Sequence, residues 1–224
     1  MANEDKSKYK IEYNGEKFTK DLLSYKVIII GKYGVGKTTI INKISGKVID
    51  KEYAPTLSID IKNIQVKVND EIVQINFWDS CGNDKFALNT PNLFKNVSIA
   101  IITYAINDKE SYKELEKWYN MVNEYSKDSI KYLIGNKSDL DKEREVTIEE
   151  AEKFKDNYAD IKIFLETSPL KDKNIDKLLE NIAISIYEKD KKLENEEDNA
   201  IRKTITLVKE DFTKKDRKKK QGCC

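Results

Sequence analysis

Apolar positions follow two rhythms along this chain. Short continuous runs alternate with segments that repeat every three to four residues. Tyr25 to Ile30 is a nearly unbroken apolar run, as expected of a strand buried on both faces. Lys37 to Ser45 places Ile40, Ile41 and Ile44 on one helical face, and Gly46 supplies a stop. In residues 57–68 the alternation changes phase. Leu57, Ile59 and Ile61 share one parity and Ile64, Val66 and Val68 the other, so a bulge is expected near Lys62-Asn63. Asn69-Asp70 reads as a hairpin turn into a strand over Ile72 to Trp78.

Beyond this hairpin, strands and helices alternate. Strands are expected over Val97 to Ala105, Ile130 to Ile134 and Ile161 to Leu165. Helices are expected over Lys109 to Tyr125, Thr147 to Asn157 and Asp172 to Tyr187. This order predicts an α/β fold: a mostly parallel six-stranded sheet with one antiparallel strand and helices on both faces. Residues 1–24 read as an N-terminal extension whose apolar residues are too scattered to define an element. Residues 25–190 read as the folded domain. Residues 191–224 are charged and aperiodic, as expected of a flexible tail.

Composition narrows the chemistry. The chain has 224 residues, 39% hydrophobic and 36% charged, which suits one domain with appendages. It has no histidine, which removes imidazole bases and imidazole metal ligands. No apolar stretch is long enough to predict a transmembrane helix, and the lysine-rich opening residues predict no secretory signal. Net charge is +1, yet residues 214–224 carry +5 and the rest −4. A basic end on a near-neutral body fits an anionic membrane surface and predicts no nucleic-acid face. Cysteines stand only at Cys81, Cys223 and Cys224, which excludes a disulfide framework.

Three motifs follow predicted strands. Gly31-Lys32-Tyr33-Gly34-Val35-Gly36-Lys37-Thr38 fits the phosphate-loop pattern G-x4-G-K-[ST] and sits between a strand and a helix, giving the fold the P-loop NTPase type. Amides of Gly34, Val35, Gly36, Lys37, Thr38 and Thr39 are expected to face phosphate oxygens, with Lys37 on the β/γ charge and the Thr38 hydroxyl on Mg²⁺. Asp79-Ser80-Cys81-Gly82 ends the third predicted strand. Its carboxylate can hold Mg²⁺ through water, and the Gly82 amide can sense a γ-phosphate. Asn136-Lys137-Ser138-Asp139 ends the fifth. A carboxylate at Asp139 can accept two parallel hydrogen bonds from the ring N–H and amine of guanine, a donor pair adenine lacks. Thr167, Ser168 and Pro169 close the next strand, where a backbone amide can meet the guanine oxygen.

These residues, in this order and spacing, resemble the Ras superfamily of small GTPases and within it the Rab branch, over residues 25–187 and the terminal cysteines. The resemblance implies GTP and GDP as ligands, Mg²⁺ as cofactor, and a membrane-anchored switch in vesicle trafficking. It implies that Thr56 binds Mg²⁺ and γ-phosphate, that Tyr53 lies over the nucleotide, and that Lys37, Thr56 and Asn83 serve catalysis. It also implies exchange factors, GTPase-activating proteins, escort or GDI-type proteins and effectors as partners. Ser111 to Trp118 resembles the Rab-type serine–aromatic–tryptophan helix, and Ile205-Thr206-Leu207 an element gripped by escort proteins. Cys223-Cys224 resembles a double geranylgeranylation signal, which implies lipid anchoring on the cytoplasmic face of intracellular membranes and a cytosolic pool.

The chain departs from that pattern at several positions. Tyr33 replaces a small phosphate-loop residue: it either crowds the γ-phosphate or swings out to solvent. Asn83 stands where the family's catalytic glutamine orients the attacking water. A displacement of about 1 Å costs about 100-fold in rate, so slow intrinsic hydrolysis is expected. No arginine precedes Arg144, so acceleration by an arginine is expected from a partner. The effector-face aromatics correspond to Ile61, Trp78 and Leu93, and Glu166 to Leu170 lacks the family's alanine and lysine after the serine. A GTP-loaded scaffold that hardly hydrolyses remains an alternative reading. A P-loop nucleoside or nucleotide kinase is a second, disfavoured by the scarcity of arginine and by the guanine motif.

Overall fold

The computed structural model describes residues 9–17, 19–20, 22–47, 49, 59–80, 91–193 and 196. Its first unit carries a seven-stranded sheet in the order β1-β3-β4-β2-β5-β6-β7. The strands are β1 (Ile11–Glu16), β2 (Ser24–Ile30), β3 (Asp60–Val68), β4 (Glu71–Asp79), β5 (Val97–Ala105), β6 (Ile130–Asn136) and β7 (Ile161–Glu166). β3 pairs antiparallel with both β1 and β4, and every other pairing is parallel. β3 is thus the single reversed strand, as the hairpin at Asn69-Asp70 predicts. Asn69 adopts φ 56, which suits a tight two-residue turn.

The helices are α1 (Lys37–Ile44), α2 (Lys109–Lys113), α3 (Leu115–Tyr125), α4 (Ile148–Asn157) and α5 over residues 175–186. One core layer gathers Ile28, Ile30, Ala100, Ile102 and Leu133 with Leu115, Trp118 and Val122 of α3 and Ala151 of α4. Neighbouring positions Val27 and Ile29 are equally buried and, by strand alternation, face the other side, where α1 packs near β4. Helices therefore cover both faces, which is why β2, β5 and β6 are apolar almost throughout.

Three sequence expectations change in detail. The sheet has seven strands where six are expected. The seventh, β1, comes from the segment read as an extension. Most of its side chains are exposed, so it carries little hydrophobic signal. The bulge expected near Lys62-Asn63 does not occur between β3 and β4, whose register is continuous from Asp60↔Asp79 to Val68↔Glu71. The parity change is absorbed because Ile61 is left exposed. The irregularity lies instead in β1, between Tyr13 and Glu16. The helix expected over Lys109 to Tyr125 is interrupted at Glu114. Buried Ser111 donates to the Asp108 carbonyl and accepts from the Ala105 amide, tying the first turn to the end of β5.

Thr147 proves to be the N-cap of α4 in a reciprocal capping box with Glu150, a device that contributes about 1 kcal/mol. A second unit begins at Tyr187, and its residues 187–193 and 196 are helical. No described helix is long and apolar enough to cross a membrane. Cys223 and Cys224 lie outside the described residues.

Candidate functional site

The carboxyl ends of β2, β6 and β7 supply the loops singled out in the sequence. β2 leads into the phosphate loop. Gly31 presses against β5 so closely that a Cβ there would lie 2.0 Å from the Thr103 carbonyl oxygen. Gly36 adopts φ 94 just before α1, and a Cβ would come within 2.4 Å of Asn136 Nδ2. The sequence allows this turn only because both positions lack a side chain. Lys37 is 4% exposed, and its Nζ donates to the carbonyls of Gly31 (2.9 Å) and Lys32 (3.1 Å), so it bridges the loop it closes. The start of α1 has no side-chain cap and no acidic residue in its first turn. The partial positive charge at this helix start suits an anion.

Beside this loop, Thr38 Oγ1 donates to Asp79 Oδ2 at 2.5 Å across 41 residues of sequence. Asp79 is 2% exposed. Burial holds its carboxyl above the ordinary carboxylate range, against the opposing Thr38 hydrogen bond and Lys37 charge. The other oxygen, Oδ1, is buried with no hydrogen-bond partner among the described residues. An unsatisfied buried carboxylate oxygen next to a hydroxyl fits Mg²⁺, which binds through one or two protein oxygens plus phosphates and water. Among the described residues no cluster of three acidic or cysteine side chains forms an all-protein metal cage. Thr56, the other expected Mg²⁺ ligand, lies outside the described residues.

Asn136 joins the two halves of the site. Its Nδ2 donates to the Val35 carbonyl (2.8 Å), 101 residues away, and its Oδ1 accepts from Thr167 Oγ1 (3.0 Å). Lys137 sits at φ 63, turning the chain so that the Ser138 amide donates to the Thr167 carbonyl (3.0 Å). Ser168 Oγ then donates to Asp139 Oδ1 (2.5 Å) and accepts from the Lys171 amide (3.1 Å). These bonds hold the Asp139 carboxylate at one orientation. Pro169 is buried in the following turn, and Leu170 stands 64% exposed.

Gly34 to Thr39, Asn136, Lys137, Asp139, Thr167, Ser168 and Pro169 are therefore all described, and side-chain bonds join the phosphate and base segments through Asn136. Tyr53, Gly82 and Asn83 lie outside the described residues. Tyr33 is 51% exposed, in keeping with the outward orientation.

With this geometry, residues 26–188 match the family model described as "Ras family". The chain belongs to the Ras family. It is 31% identical to the Ras-related protein Rab-30 of Homo sapiens over 160 residues, covering 71% of this chain and 78% of that protein. The Rab-30 of Bos taurus matches to the same extent. The Ras-related protein RabC of Dictyostelium discoideum is 31% identical over 144 residues, 61% of this chain and 74% of its own length. This Ras-family P-loop GTPase is thus Rab-like in its sequence relations.

One important contributor escapes sequence reading. Arg144 forks onto both oxygens of Glu166 (2.6 and 3.0 Å), and its Nε donates to Asp141 (2.9 Å). Glu166 immediately precedes Thr167 and Ser168, so this ion pair anchors the loop that orients Asp139. These two carboxylates raise the guanidinium pKa still further, Glu166 most. The scarcity of arginine is visible in the sequence, but its partner lies 22 residues on and no local pattern links them. The expected effector face also differs from a continuous patch. Ile61 is 43% exposed and Trp78 is half-buried beneath Lys26, whose Nζ lies 3.8 Å from the ring centroid. Burial lowers that lysine's pKa to about 8. Leu93, by contrast, is wholly inside the core.

Proposed function

We propose that this Ras-family chain is a GTP/GDP switch of vesicle trafficking. It is anchored to the cytoplasmic face of intracellular membranes through lipids on Cys223 and Cys224, exchanges with a cytosolic pool, and hydrolyses GTP slowly unaided. The observation that carries the nucleotide part is the Asn136 bridge. One amide side chain bonds the phosphate loop at Val35 and the base-side loop at Thr167, so triphosphate and base contacts are held at a fixed separation.

In this reading the amides of Gly34 to Thr39 and the Lys37 ammonium hold the phosphates. Asp139 accepts from the guanine ring N–H and amine, and Asn136, Lys137, Thr167, Ser168 and Pro169 shape the base pocket. Thr38, Asp79 and Thr56 hold Mg²⁺, which when bound neutralises charge on the β- and γ-phosphates. Thr56 and the Gly82 amide sense the γ-phosphate, and Tyr53 covers the nucleotide. Asn83 orients the attacking water, one methylene short of the family's glutamine. Two lipid chains give the stable attachment that one does not, and the six basic residues within 214–220 add attraction to anionic lipid. Exchange factors, activating proteins, GDI-type proteins and effectors follow from family resemblance. A hydrolysis-deficient, GTP-loaded scaffold is the second reading, favoured by Asn83.

Affinities for GTP, GDP and ATP, with and without Mg²⁺, test the central claim. Guanine ligands should bind far more tightly, and Asp139→Ala should abolish that preference. Equal binding of adenine ligands by the parent chain overturns the reading. Single-turnover hydrolysis with Asn83→Gln tests the catalytic part: a rise of about 100-fold is expected, and an unchanged rate removes the role given to Asn83.

A further inference from the structure

The loop that follows β7 lies directly beside the carboxylate assigned to the base. Ser168 Oγ donates to Asp139 Oδ1 (2.5 Å), and the Ser138 amide donates to the Thr167 carbonyl (3.0 Å). Guanine carries three polar groups in a row on the edge that would face Asp139: the amine, the ring N–H and the 6-oxygen. A carboxylate only accepts, so it serves the first two. The 6-oxygen is itself an acceptor and needs a donor. The amides of Thr167 to Pro169 are where the sequence leads one to look for it.

The bonds of this loop leave no amide of those three residues for the task. The Thr167 amide donates to the Gly135 carbonyl (2.9 Å). Ser168 forms an antiparallel bridge with Lys173: its amide donates to the Lys173 carbonyl (3.1 Å), and its carbonyl accepts from the Lys173 amide (2.9 Å). Pro169 has no amide hydrogen at all. Thr167 and Ser168 are wholly buried, so freeing either amide for a ligand would strand a carbonyl inside the protein. The Ser168 hydroxyl has one proton and gives it to Asp139. The bridge closes a loop over Pro169, Leu170, Lys171 and Asp172, and Asp172 turns the chain back at φ 56. Within it the Lys171 amide returns to Ser168 Oγ (3.1 Å). That leaves the Leu170 amide, at the tip of the loop, where the residue is 64% exposed and water competes for it.

We propose that Pro169 makes this site indifferent to the 6-position of the purine. Asp139 alone selects guanine, by its ring N–H and amine, and guanine-type nucleotides whose 6-oxygen is replaced by a weak acceptor are accepted as ligands. This inference rests on the guanine-nucleotide reading and deepens it. A site built with a donor rejects a ligand that lacks the matching acceptor, because the donor is left unpaired; a site without the donor has nothing to strand.

The test titrates the full-length chain, with Mg²⁺, against GDP, ADP and 6-thioguanosine diphosphate. The thio analogue keeps the ring N–H and the amine and sets sulfur, a weak acceptor, in place of the oxygen. A mildly acidic buffer keeps its ring proton in place. The parent chain should bind GDP and the thio analogue within about twofold of each other. Pro169→Ala restores an amide hydrogen at this position. It should tighten GDP about fivefold and leave the thio analogue nearly unchanged, so the ratio between them opens. Rejection of the thio analogue by the parent chain by about tenfold or more overturns the proposal, since a donor then serves the 6-oxygen and Leu170 is the residue left to supply it. An unchanged ratio in Pro169→Ala overturns it as well. If Pro169→Ala does not fold, the parent ratio decides alone. Equal binding of GDP and ADP by the parent chain fails the guanine reading itself, whereas a retained guanine preference with rejection of the thio analogue fails this inference only.

Discussion

The phosphate loop and the base-side loops leave the same end of the sheet but are held by different means. The phosphate loop is a main-chain device. Gly31 and Gly36 permit its path, and Lys37 bonds the carbonyls of Gly31 and Lys32 within its own motif. The base side is a side-chain device. Asn136 bonds Thr167, Ser168 bonds Asp139, and Arg144 bonds Glu166, each across more than twenty residues. A main-chain device fails when a side chain is added; a side-chain device fails when one is removed.

The sharpest way to break this contrast is Gly36→Ala. The added methyl meets the Asn136 amide, which two hydrogen bonds hold in place, and the backbone stays strained at φ 94. The expected loss is about 3 kcal/mol, or about a hundredfold in affinity for every nucleotide, measured by calorimetric titration. Arg144→Met comes next. It strands the Glu166 carboxylate, whose side chain is 9% exposed, and should lower unfolding stability by about 2 kcal/mol in urea titration. Guanine affinity should fall with it, while the phosphate loop's geometry stays intact.

Ser168→Ala removes the bond that orients Asp139 together with the one the same hydroxyl accepts from the Lys171 amide. About 1 kcal/mol is expected, or about fivefold in GDP affinity, with no change in the weak binding of inorganic pyrophosphate. An equal loss for pyrophosphate would erase the distinction between the two halves. The smallest effect is the pH dependence of Asp79. Its carboxyl pKa is raised in the folded chain, so the folded state holds this proton more tightly than the unfolded chain. The resulting stability is fully present below the ordinary aspartate pKa of about 4 and is lost as pH rises through the raised value. Urea titrations of nucleotide-free, metal-free chain should show this decline, and Asp79→Asn should flatten it.

The two halves were also unequally legible before folding. The phosphate loop was read in full because its groups lie in eight consecutive residues and act largely through backbone. Asp139 was found because guanine demands a carboxylate, but nothing in its neighbourhood names Ser168 as the hydroxyl that orients it. Arg144 was noted for rarity alone. β1 was missed for a related reason: its side chains are exposed, and main-chain pairing leaves no hydrophobic rhythm. The unbroken β3–β4 register likewise depended on Ile61 being left exposed, which alternation alone does not reveal.

Local order was set by the chain's own pattern. Apolar runs bury themselves, glycines turn where a Cβ would collide, and a lysine and threonine following them sit at a helix start. Tertiary structure alone decided which distant polar groups meet: Asn136 with Val35, Arg144 with Glu166, Thr19 with Gln65 and Gln74. The reason is physical. A buried polar group must find a partner wherever packing brings one, and that choice rests on geometry assembled from the whole sheet.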